Sequence, residues 1–167
     1  MPTSKILTQE EQIMEALFEV KDPEIPVISV VDLGIIPKVS MDKTGCATVT
    51  MTPTFTACPA TQVMQSEIIA AVEALDFVEK VVVKVDFSIP WTSDKISELG
   101  CKQLKEFGLA PPNKHHGDLD MNSIAEVKCP HCDSDHTSLK ILFGTTLCRS
   151  NHFCYDCKQA FEAFKPI

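Results

Sequence analysis

A chain of 167 residues, 44% hydrophobic with a mean hydropathy of +0.05, is long enough for one ordinary domain and a small appendage, and too apolar for a disordered one. No run approaches the ~18–20 apolar residues of a membrane span, and the start has no hydrophobic signal core, so membrane-embedded and secreted classes are not expected. The net charge of −8 is unevenly placed: residues 1–127 carry 10 Lys+Arg against 19 Asp+Glu, and residues 128–167 carry 5 against 4, so neither part has the basic footprint of a nucleic-acid binder.

Thr8 followed by Glu11 reads as a capping box, and Ile13, Met14, Leu17 and Phe18 form one apolar stripe, so a first helix is expected there. It must end before Asp22-Pro-Glu-Ile-Pro26, where two prolines remove donors. A strand around Ile35–Met41, a turn at Asp42-Lys-Thr-Gly45 and a strand from Cys46 to Thr52 read as a hairpin. A second helix is expected from Pro59 to about Leu75, with Met64, Ile68, Val72 and Leu75 on one face. Val81–Ile89 alternates as a strand. A third helix is expected from near Ser93, with Ile96, Leu99, Leu104 and Phe107 inward and Gly108 as its stop. Residues 109–127 have no sustained period and read as a linker. The order αββαβα predicts an α+β fold, helices packed on a small mixed sheet over 1–108, followed by a cysteine-bearing module over 128–167.

Cys58 lies in Thr52-Pro-Thr-Phe-Thr-Ala-Cys58-Pro-Ala-Thr61, which places it at the N-cap of the second helix. Unpaired N–H groups and the helix dipole favour an anion there, so a lowered thiol pKa is expected, making Cys58 a nucleophile or metal ligand. Thr52, Thr54, Thr56 and Thr61 can add donors. A buried cysteine packing as a small hydrophobe explains the same position equally well. Asp22, Glu24 and Asp32 offer carboxylates that can bind a metal or cap the next element, and Asp22 and Glu24 are, with Thr52, Thr54 and Thr56, candidate supporting residues for Cys58. All five histidines lie beyond residue 108, so a Cys–His enzyme would need a base from outside the first domain; metal or cluster handling needs none. Cys46, opening a strand, and Cys101, beside Gly100 in a helix, read as structural.

Cys129-Pro-His-Cys132 and Cys154-Tyr-Asp-Cys157 are two C-x-x-C knuckles with 21 residues between them. Paired knuckles supply the four thiolates Zn²⁺ prefers, and a module of this size needs a metal to fold; the competing reading is two disulfides. Cys148, between the knuckles, is a spare thiol or an alternative ligand. Eight cysteines with no export signal fit a reducing cytoplasm.

Asp22-Pro-Glu-Ile-Pro-Val-Ile-Ser-Val-Val-Asp-Leu-Gly34, the Thr52–Thr61 segment and Pro90-Trp91 together resemble the MIP18-like family, also called domain of unknown function 59. The ribbon cysteines, Phe143-Gly-Thr-Thr-Leu-Cys148 and Phe161-Glu-Ala-Phe-Lys165 narrow the resemblance to its branch found in phenylacetyl-CoA epoxidase systems, over nearly the whole chain. That resemblance implies an iron–sulfur-assembly-like fold with a zinc ribbon and a non-catalytic role in aerobic phenylacetate breakdown. It implies that Cys58 passes iron or an iron–sulfur cluster and that the partners are the diiron oxygenase or its reductase. A structural subunit without metal delivery, and an independent thiol enzyme, are the alternatives. No Glu-x-x-His pair, ferredoxin cysteine run or G-x-G-x-x-G turn is present, which fits a division of labour among separate chains.

Overall fold

The computed structural model describes residues 7–55, 58–118 and 121–167. The chain forms two compact units, one ending at Pro90 and one running from Trp91 to Ile167.

In the first unit, α1 (Gln9–Leu17) starts on the expected capping box: the Thr8 side chain accepts from the Glu11 N–H and the Glu11 carboxylate accepts from the Thr8 N–H. It buries Ile13 and Leu17 completely. β1 (Lys21–Asp22) and β2 (Ile25–Ser29) form a small antiparallel pair, closed by Asp22 Oδ1 accepting the N–H groups of Glu24 and Ile25. β3 (Lys38–Met41) pairs antiparallel with β4 (Cys46–Met51), and β4 pairs parallel with β5 (Lys80–Val85) after the crossover helix α2 (Ala60–Glu73). The hairpin strand begins at Lys38, three residues later than expected, directly after Pro37, which cannot donate to a ladder. β5 ends at Val85, short of the expected Ile89, where the Asp86 side chain accepts from the Ser88 N–H and turns the chain. Ala47, Val49 and Met51 of β4 are fully buried on alternate positions; Met64, Ile68 and Val72 of α2 recur at helical spacing and are buried too.

Gly45 makes the β3–β4 turn possible. Its φ is +81°, and a Cβ there would sit 2.6 Å from Glu79 Cγ, where the Gly45 carbonyl receives the Glu79 N–H.

The second unit opens with a turn of 3-10 helix, Ser93–Lys95, before α3 (Glu98–Phe107). The expected helix from Ser93 is thus split. Ile96 is extended, and Ser97 starts a new helix by accepting the Gly100 N–H on Oγ. Gly108, with φ +91°, ends it as expected. The buried side is Gly100 and Leu104, whereas Leu99 and Phe107, expected inward, are 54% and 46% exposed. β6 (Leu109–Ala110) pairs parallel with β9 (Ala160–Phe164), which pairs antiparallel with β8 (Arg149–Cys154), and β8 with β7 (Thr137–Ile141). A short helix, α4 (Met121–Ala125), precedes the first knuckle. The chain directly after the third helix supplies the ribbon's fourth strand, and part of the stretch 109–127 is strand and helix. Trp91 and Phe164, ring centroids 5.9 Å apart, join the start of this unit to its last strand.

No helix among the described residues is long and apolar enough to cross a membrane.

Candidate metal centre and thiol site

The two knuckles fold alike. In the first, the Cys129 N–H donates to the Ser134 carbonyl at 3.0 Å; in the second, the Cys154 N–H donates to the Gln159 carbonyl at 2.9 Å, five residues on in both. The residue after each knuckle, Asp133 or Lys158, is left-handed with φ +61°. These turns bring the Sγ atoms of Cys129, Cys132, Cys154 and Cys157 within 4.8 Å of one another. Cys129–Cys157 and Cys132–Cys154 lie 3.7 and 3.6 Å apart, near the edge of about 3.8 Å that a tetrahedron with ~2.3 Å metal–sulfur bonds requires. All eight cysteines are free of disulfides. The four thiols define a metal site, closed and without a non-sulfur ligand among the described residues.

Burial opposes ionisation of Cys154, but the Cys157 and Asp156 N–H groups donate to it and bring its thiol down to about 6, the direction a metal thiolate needs. Burial and the three neighbouring thiols push Cys157 up to about 12.

Cys148 stands outside this cage, its Sγ 3.0 Å from Thr146 Oγ1 and its carbonyl accepting the Lys165 N–H. The polar Ser150-Asn-His152 stretch is core. Ser150 Oγ and His152 Nε2 are 2.9 Å apart, both residues are about 1% exposed, and His152 stacks on Phe161 at 5.4 Å. Burial lowers the imidazole to about 4, so it is neutral. Strand alternation alone marks 152 as inward; nothing local signals that a histidine fills it.

In the first unit, Cys58 precedes α2, but Pro59 takes the N-cap in helical geometry, φ −64° and ψ −25°, and Cys58 stands one residue further out. Its carbonyl accepts the Thr61 N–H at 3.2 Å. The thiol pKa moves opposite to expectation. Burial raises it first, the Ala60 N–H lowers it, and the negative charges of Asp22 and Glu24 raise it further. The charges of Asp22 and Glu24 thus act on Cys58 across more than thirty residues of sequence. Asp22 is buried and Glu24 exposed. Thr52 is buried, its N–H donating to the Ile35 carbonyl at 2.8 Å, and Thr54 is half-buried; Thr56 lies outside the described residues. Asp32 is engaged locally, accepting the Ser29 hydroxyl at 2.7 Å.

An α+β domain with a single thiol at the start of its crossover helix, joined to a four-cysteine β-ribbon, matches two family models. Residues 10–85 match the model described as iron–sulfur cluster assembly protein, and residues 113–165 the model described as PaaD zinc beta ribbon domain. The chain is 35% identical to the D component of a "Putative 1,2-phenylacetyl-CoA epoxidase" of Escherichia coli, over 95% of this chain and 94% of that one. It is 39% identical to an "Fe-S protein maturation auxiliary factor" of Porphyromonas gingivalis over 60% of this chain and 95% of that one. A crystal structure of a domain of unknown function, DUF59, from Bacillus anthracis superposes with a TM-score of 0.55 and 27% identity, covering 57% of this chain and 91% of that one. Fold and site thus define an iron–sulfur-assembly domain carrying a ribbon. The chain belongs to the PaaD family.

Proposed function

We propose that this protein is an accessory subunit of a phenylacetyl-CoA ring-epoxidising oxygenase system, and that it helps install or repair the iron–sulfur or diiron centre of a partner chain. One observation carries the reading: the match to an epoxidase component runs through both units, and the part shared with iron–sulfur maturation factors is the unit that contains Cys58. The Cys58 thiolate offers iron in transit a soft donor. Cys58 is the transfer residue in this reading, with Thr52, Thr54 and Thr56 as supporting residues of its segment. A thiol held protonated gives up its proton as iron binds and recovers it on release, which suits a transient ligand better than a permanent one.

The four ribbon thiols fit zinc. Cys129, Cys132, Cys154 and Cys157 would hold it, and bound there it supplies folding energy and no open position for chemistry. Eight free cysteines suit the reducing cytoplasm. The ribbon serves as the rigid surface that meets the oxygenase or its reductase.

The test is anaerobic co-expression of the oxygenase and reductase with the parent chain or Cys58→Ser. Iron content of both partners should fall with Cys58→Ser while the variant still binds them. Full iron loading with that variant would leave a structural subunit without metal delivery.

A further inference from the structure

The apolar stripe of α1 is wider than the core uses. Ile13 and Leu17 are fully buried, but Met14 is only half-buried and Phe18 is 40% exposed. Those two line a groove of about 520 Å³ between α1 and β3, with Ile36 and Val39 opposite. Glu10, Glu11 and Glu15 edge the groove on the helix side, and Lys38 is the single cation among the described residues that line it. The unit around it is strongly acidic: residues 1–90 carry 6 Lys+Arg against 13 Asp+Glu. Among the described residues β3 is also an edge strand of its sheet.

We propose that this groove is a docking site for a basic amphipathic helix of a partner protein. Along α1, Met14 and Phe18 stand one turn apart, and beside them Glu11 and Glu15 do the same, giving parallel apolar and acidic rows. A helix laid along α1 presents the complement when its apolar residues recur at one-turn spacing and Lys or Arg flank them. The acidic rim speeds encounter with such a segment and rejects acidic ones, while the apolar floor supplies the affinity. An acidic helix or an anionic membrane surface would meet like charge here. The proposal holds whether or not Cys58 carries iron.

The full-length protein would be titrated with a helical Leu/Lys peptide whose leucines repeat at one-turn spacing, alongside the same residues in scrambled order. Binding should perturb backbone amide NMR signals of α1 and β3, and should be about tenfold tighter for the amphipathic order. Phe18→Asp, and Glu10→Gln combined with Glu15→Gln, should each weaken it about tenfold, and Lys38→Gln should tighten it. All the altered positions are exposed, and an unchanged thermal melt confirms the fold. Equal binding of the scrambled peptide, signals that move elsewhere, or no saturable binding would each overturn the proposal.

Discussion

Asp133 and Lys158 occupy equivalent places in the two knuckles, each following the second cysteine and each at φ +61°. The strain is not equal. Asp tolerates left-handed backbone, and Asp133 also pairs with Lys105, whereas the long aliphatic stem of Lys158 cannot make the short side-chain-to-backbone bonds that ease an Asp or Asn into this region.

Lys158→Gly should therefore stabilise the protein. Relief of the left-handed penalty, about 1–2 kcal/mol, exceeds the entropic cost of glycine, about 0.5–1 kcal/mol. A net gain of about 0.5–1 kcal/mol in urea unfolding of the metal-loaded protein is expected. Lys158→Ala should give no such gain.

Removing the metal should unfold the ribbon selectively. Chelation, or Cys129→Ser, discards a binding energy that reaches about 10 kcal/mol at structural zinc sites. Hydrogen exchange should then show β7, β8 and β9 unprotected while α1 and β4 keep their protection. Retained protection in the ribbon would show that its core folds without the ion.

Glu162 holds the other end of the ribbon. Its carboxylate accepts Arg149 Nη1 at 2.9 Å and the Thr145 N–H at 2.8 Å, and these contacts outweigh burial and lower its pKa from 4.5. A depressed carboxyl contributes stability above its unfolded value that is lost as pH falls through the folded one. The parent should thus lose stability below about pH 4.5 more steeply than Glu162→Gln. At pH 7 the variant should be weaker by about 2 kcal/mol, because Arg149 keeps its charge in a buried place. Denaturant titrations at both pH values measure the difference.

Cys58 should alkylate slowly at neutral pH. Its thiol is raised above 9.0, so the pH midpoint of iodoacetamide labelling, followed on the Cys58 peptide by mass spectrometry, should lie above that of a free thiol. Glu24→Gln removes one of the charges that raise it and should move the midpoint down. A midpoint below about 8 would contradict the environment described for this residue.

Local signals carried much of this fold. The Thr8–Glu11 box, the alternation of Cys46–Met51 and the Met64–Ile68–Val72 spacing each encode one element within a few residues, and those elements form where expected. The knuckles were legible for the same reason, since four thiols at two short spacings leave little choice of chemistry. What escaped depends on distant parts of the chain. Leu109–Ala110 becomes a strand only because Glu162 and Ala163 lie beside it. The direction of the Cys58 thiol is set in part by Asp22 and Glu24, which the backbone returns to it from another element. His152 is buried by its stacking on Phe161, not by any property of histidine.

The parallel pairing of β6 with β9 also decides where this protein can be cut or grafted. A fragment beginning at residue 128 would keep every metal ligand yet lose an outer strand, leaving the Glu162–Ala163 edge open to self-association. A junction at Pro90 passes the whole second unit intact to a new host, so exchange of this module between proteins is expected to succeed there and to aggregate at the later boundary.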